Sequence, residues 1–123
     1  MKGHSIAGMS TIRERVEDDF YATPKGTTEA LFSVEVFVGE VWEPACGDGA
    51  MSEVIKKYND VISTDLIDRG YGNSGINFLS LTSDGYNTVD NVITNPPFNL
   101  FQEFAERALG VSSKKVALFG KLQ

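Results

Sequence analysis

Short apolar runs punctuate the chain from residue 40 onward, separated by glycine- and asparagine-rich turns and by stretches with helical spacing. Glu40-Val41-Trp42-Glu43 reads as a strand that enters a glycine turn, and 50–58 reads as a helix with Met51, Val54 and Ile55 facing inward. A second strand is predicted at 61–64, ending at Asp65. The segment 69–75 carries Gly70, Gly72 and Gly75 and reads as a loop, followed by a third strand at 76–79. A fourth strand spans 89–94. The helix predicted at 98–109 sets Leu100, Phe101, Phe104, Ala105 and Ala108 on one side, and a fifth strand covers 115–119. Upstream, Tyr21-Ala22-Thr23-Pro24 reads as an extended turn, because the residue before proline avoids helical angles. Thr27 or Thr28 is then placed to cap a helix through 29–32. Strands alternating with helices predict an α/β fold: a parallel sheet of about five strands with helices on both faces. Residues 1–19 read as a flexible N-terminal arm, which also holds the only histidine, His4, and 20–123 as the folded domain.

Composition narrows this picture without changing it. A chain of 123 residues has room for one small domain with a real core. No apolar stretch reaches the length of a membrane span, and the N-terminus lacks the apolar region of a signal peptide. A single cysteine excludes an internal disulfide and suits a cytoplasmic location. Eleven Lys and Arg against 17 Asp and Glu leave a net charge of −6, which opposes strong nonspecific binding to nucleic acid by this chain alone.

The chemistry gathers in the predicted loops. Open parallel sheets bind ligands at the carboxyl ends of their strands. The glycine turn Glu43-Pro44-Ala45-Cys46-Gly47-Asp48-Gly49, Asp65, Asn77 and Asn95 all follow predicted strands. Gly47 and Gly49 would let a ligand approach the backbone closely. The dinucleotide fingerprint is absent, since no third glycine follows at the required spacing. Glu43 and Asp48 would repel a pyrophosphate, whereas a ligand with a positive centre suits them. Asp65 is placed to accept hydrogen bonds from ribose hydroxyls. In Asn95-Pro96-Pro97-Phe98 two prolines fix an extended backbone without donors. An amide side chain, carbonyl oxygens and an aromatic face then form a receptor for a flat group bearing an NH2. Cys46 sits inside the glycine turn and reads as a small buried residue rather than a nucleophile.

Four segments in this order resemble the class I S-adenosylmethionine-dependent methyltransferases, specifically the DNA adenine-N6 type found in small phage- and prophage-associated members. They are Phe20-Tyr21-Ala22-Thr23-Pro24, Glu43 to Gly49, Thr64-Asp65-Leu66-Ile67-Asp68-Arg69-Gly70 and Asn95 to Phe98. The resemblance implies a Rossmann-like three-layer sandwich with strand order 3-2-1-4-5. It implies that Thr23 and its neighbours, Tyr21 among them, hold the amino-acid end of S-adenosyl-L-methionine. Glu43, Pro44, Ala45, Cys46 and Gly47 would wrap its methionine portion, Asp65 would bind the ribose, and Leu66 would pack on the adenine. Asn77 stands where the family often has an aspartate that recognises the adenine amino group, and Phe78 would flank the same ring. Asn95, also beside the cofactor, and Pro96 would accept from the amine of the target base while Phe98 stacks on it. The methyl group would pass by direct in-line displacement, with no metal.

The family continues beyond residue 123 with a helix, an antiparallel hairpin and a target-recognition segment, so the resemblance implies an incomplete domain lacking that hairpin. Three functions follow as expectations. The first is adenine-N6 methylation of DNA; the second is a non-catalytic S-adenosylmethionine-binding or interaction module. The third is methylation of protein glutamine or RNA guanine-N2, whose enzymes share the Asn-Pro-Pro-aromatic segment. DNA is the expected partner, bound weakly by this chain alone. A sheet ending on its fifth strand exposes an edge through which a homodimer is expected.

Overall fold

A computed structural model describes residues 22–80 and 89–120. The arm at 1–19, Phe20, Tyr21 and residues 121–123 lie outside the described residues. Four parallel strands form one sheet: β1 Val41–Glu43, β2 Val61–Ser63, β3 Val89–Thr94 and β4 Ser112–Leu118, in the order β2-β1-β3-β4. Three α-helices, α1 Lys25–Val34, α2 Ala50–Ile55 and α3 Phe101–Val111, and two short 3-10 turns accompany it among these residues.

Side-chain alternation along the strands divides the core in two. Val41 points to the α1–α2 side, where it meets Phe37, Met51, Ile55 and Ile93. Trp42 points the other way, into a cluster with Phe78, Val92, Leu100, Phe104, Ala108 and Val111 beneath α3. β1 is therefore buried on both faces, the condition that makes a parallel strand read as an unbroken apolar run. No helix among the described residues is long and apolar enough to cross a membrane.

The strand expected at 76–79 is not formed, and among the described residues the sheet has four strands rather than five. Residues Phe78–Ser80 make a single 3-10 turn instead. Asn77 Oδ1 accepts from the Leu79 N–H at 3.0 Å, a local bond that competes with a sheet ladder. Phe78 is driven inward, edge-on to Trp42 with ring centroids 5.0 Å apart and 5.1 Å from Phe104. Burying such a ring contributes about 1.5–3 kcal/mol, more than one cross-strand pair offers. Just upstream, one parallel bridge, Thr64 with Asn73, stands beside the end of β2, and the Ile76 N–H donates to the Asp65 carbonyl at 3.0 Å. The expected five-strand order 3-2-1-4-5 is not found; the described strands stand in the order β2-β1-β3-β4.

Other boundaries shift for local reasons. α1 begins directly after Pro24, whose φ of −60° suits a helix start, and Thr28 is buried inside the helix rather than capping it. α2 stops at Ile55, and Lys57 and Tyr58 bond three residues back, to Val54 and Ile55, where the helix tightens. The expected helix at 98–109 is a 3-10 turn, Phe98–Leu100, running into α3. β4 starts three residues early, at Ser112.

Candidate functional site

Because every strand runs the same way, the loops that follow them meet at one edge, and a cleft opens there. The end of β1 and the loop after it supply Glu43, Ala45, Cys46, Gly47 and Asp48. The loop after β2 supplies Asp65 and Arg69, and the loop after β3 supplies Asn95, Pro96, Pro97 and Phe98. Ala22 and Thr23, from the segment before α1, close one side. Met51, Phe101, Phe119 and Gly120 complete the wall.

Asp65 ties two of these loops together. Its Oδ2 accepts from the Gly47 N–H at 2.7 Å and its Oδ1 from the Ile67 N–H at 3.1 Å. The carboxylate is almost fully buried, and each oxygen retains a further lone pair. Gly47 takes a positive φ of 57° and faces the cleft. Gly49, with φ of 92°, does not line it. A Cβ there would lie 2.4 Å from the Tyr71 ring, whose hydroxyl donates to Glu53 at 2.5 Å. The second glycine therefore admits a protein ring, not a ligand.

Glu43 ends β1 with 2% of its surface exposed. Burial raises its pKa to about 8, against the opposing hydrogen bond from Ser52 and with help from the charges of Asp65 and Asp48. Ser52 Oγ lies 2.5 Å from Glu43 Oε1 and 2.7 Å from Ser63 Oγ, a polar chain that runs from the buried carboxyl to the half-buried Ser63. Burial likewise pushes the Cys46 thiol up to about 12, with Glu43 and Asp65 adding to the effect. The thiol stays protonated and is no nucleophile. Among the described residues no group of His, Cys, Asp and Glu is arranged to hold a metal ion.

The Asn95 segment forms the opposite wall. Asn95 Nδ2 donates to Thr23 Oγ1 at 3.0 Å. Pro97 is extended, with φ −54° and ψ 133°, and its carbonyl accepts from the Leu100 N–H. Phe98 is 39% exposed and Phe101 37% exposed at the mouth. Gly120 packs against Phe101, since a Cβ on it would come within 3.0 Å of the ring.

Of the residues singled out from the sequence, Thr23, Glu43, Ala45, Cys46, Gly47, Asp65, Asn95, Pro96 and Phe98 line the cleft. Pro44, Leu66, Asn77 and Phe78 do not. Pro44 is fully buried, Leu66 and Phe78 belong to the core under α3, and Asn77 serves its own turn. Tyr21 lies outside the described residues. Phe101, Arg69 and Met51 are lining residues that sequence reasoning missed. Phe101 was legible in principle: three residues after Phe98, it falls on the same side of the turn.

Comparison of the chain with models of known protein families, with curated proteins and with solved structures finds no match.

Proposed function

We propose that the cleft binds S-adenosylmethionine and serves methyl transfer to the N6 amine of an adenine in DNA. The observation that carries this reading is the wall opposite the acids. There Asn95, its NH2 end engaged by Thr23, keeps its amide oxygen for an incoming amine, beside a rigid Pro96-Pro97 backbone and two exposed rings. The acidic side fits the sulfonium ligand. Glu43, Asp48 and Asp65 line it, and Asp65 has lone pairs left for ribose hydroxyls. Leu66, Asn77 and Phe78, buried or engaged elsewhere, take no part in this reading.

The bound cofactor supplies a methyl group on positively charged sulfur, open to displacement by a nitrogen lone pair. The chain's own work is alignment. Asn95 Oδ1 and the Pro96 carbonyl accept from the two N–H groups of the adenine amine, which frees the nitrogen lone pair from the ring and stabilises the positive charge that develops. Phe98, with Phe101 beside it, offers apolar faces to a base taken out of its stack. Holding both reactants in line accounts for much of the rate. The proton lost from the amine leaves to solvent.

Titration calorimetry with S-adenosylmethionine tests the first half, and methyl transfer to adenine-containing DNA the second. Micromolar binding followed by label on adenine is expected. Label instead on a glutamine peptide or on guanine in RNA would overturn the acceptor. Absence of cofactor binding would overturn the whole reading.

A further inference from the structure

Glu43 lines the cleft with 2% of its surface exposed, so a ligand seated above it would cut its carboxyl off from solvent on that side. A second way out leads away from the cleft. Ser52 Oγ of α2 lies 2.5 Å from Glu43 Oε1, and Ser63 Oγ of β2 lies 2.7 Å from Ser52 Oγ. Ser52 is fully buried, whereas Ser63 is half-buried on the strand at one end of the sheet among the described residues. Neither serine lines the cleft. We infer that these two hydroxyls, in file, carry the Glu43 proton between the cleft and the outer strand, so that the carboxyl can ionise while a ligand covers it.

A hydroxyl donates as readily as it accepts, so a file of hydroxyls satisfies its members in either direction. With the carboxyl protonated, Glu43 donates to Ser52, Ser52 to Ser63, and Ser63 outward to water. With the carboxyl ionised, Ser63 donates to Ser52 and Ser52 to the carboxylate. One proton separates the two arrangements. The O–H bond of Glu43 breaks as Ser52 Oγ takes its hydrogen, Ser52 passes its own to Ser63, and Ser63 passes its own to a water molecule. The groups around the carboxyl set when this exchange runs. Burial above all, with the charges of Asp65 and Asp48, raises its pKa to about 8 against the Ser52 hydrogen bond. The Cys46 thiol, pushed up to about 12, stays protonated and takes nothing from it. On α2, Glu53 and Lys56 pair with each other at the surface, and Arg69 is the cation among the described lining residues. A positive ligand centre entering the cleft favours the carboxylate and drives the proton outward.

The inference rests on the proposed cofactor for its ligand but not for its geometry, so the test has two arms. The first needs no ligand. The carboxyl carbon of Glu43, identified in carbon-13 NMR spectra by its loss in Glu43→Gln, is titrated in the native chain, in Ser63→Ala and in Ser63→Thr. Ser63 bonds to Ser52, not to Glu43. Without the Ser63 hydroxyl, Ser52 has no acceptor for its hydrogen once it accepts from the protonated carboxyl. The apparent pKa of Glu43 should then fall by about half a pH unit, the scale of one hydrogen bond. Ser63→Thr keeps a hydroxyl and should titrate as the native chain does. The second arm mixes S-adenosylmethionine with the protein near pH 7 in a stopped flow. Trp42 fluorescence reads binding and an indicator dye reads proton release. In the native chain and in Ser63→Thr the proton should appear with binding. In Ser63→Ala it should lag about tenfold, while the Kd moves by no more than about threefold. An unchanged Glu43 titration in Ser63→Ala would overturn the inference. So would a proton released in step with binding in that variant, or binding without proton release in the native chain. If S-adenosylmethionine does not bind the native chain, the functional reading falls, and the titration alone decides whether the serines carry the proton.

Discussion

At the scale of single residues, the buried carboxyl of Glu43 has the widest consequences. Its folded pKa of about 8 lies above the ordinary 4.5, so between those values the folded chain holds a proton that the unfolded chain has released. The contribution of this group to stability is therefore full below about pH 4.5 and is lost as pH rises toward about 8. Urea unfolding across this window should show that decline, on the order of a few kcal/mol, and Glu43→Gln should flatten it. A pH-independent stability in the native chain would refute the burial argument. The same proton couples to the proposed ligand, because a nearby cation favours the carboxylate. Cofactor binding near pH 7 should then release a proton, and its apparent heat should differ between buffers of unlike ionisation enthalpy. Asp65 needs a gentler substitution than alanine. Asp65→Ala leaves the Gly47 and Ile67 N–H groups without partners, at a cost of about 1–3 kcal/mol each, which would mask any loss of cofactor affinity. Asn95→Ala carries no such burden, and should abolish transfer with cofactor affinity nearly intact.

At the scale of elements, the contrast between β3 and the turn at Phe78–Ser80 shows where sequence patterning stops being decisive. Both segments are short, partly apolar stretches, and periodicity alone does not separate a buried strand from a buried turn. β3 is held between β1 and β4, whereas the chain leading to Phe78 passes through Gly70, Gly72 and Gly75, all at positive φ, and touches β2 at a single bridge. Tertiary packing of one ring then decides the outcome. Phe78→Ala should cost about 3–5 kcal/mol in chemical unfolding, as a core truncation does. A small cost with weakened cofactor binding would return Phe78 to the ligand. The glycine turn divides in the same way. That Gly47 and Asp65 line the cleft was legible because topology alone carries strand ends to one edge. That Gly49 faces Tyr71 was not, since it depends on a loop more than twenty positions away. Gly49→Ala should destabilise by about 1–3 kcal/mol from its backbone angle, and by more from the ring. Adding Tyr71→Ala should recover only the second part.

At the scale of the whole molecule, the open question is what the sheet edges do. A homodimer through an exposed edge follows naturally from a parallel sheet that ends on an unpaired strand. Among the described residues β4 is such an edge, and two features of it work against pairing. Lys114 and Lys115 stand on the strand, the residue type that most often blunts edges. Both are engaged: Lys114 lies 3.8 Å from Asp90, and Lys115 lies 2.8 Å from Glu35 and donates to the Val36 carbonyl at the same distance. A second copy would have to displace these contacts and bring four lysines together across one junction. The ion pairs are exposed and contribute little each, so the obstacle is the assembled like charge rather than any single bond. That charge is screened by salt. Sedimentation should therefore find the monomer at low ionic strength, with any self-association appearing only as salt is raised. Replacing both lysines with threonine should promote association at low salt. Dimers that form readily at low ionic strength and survive the double replacement unchanged would place the contact away from β4.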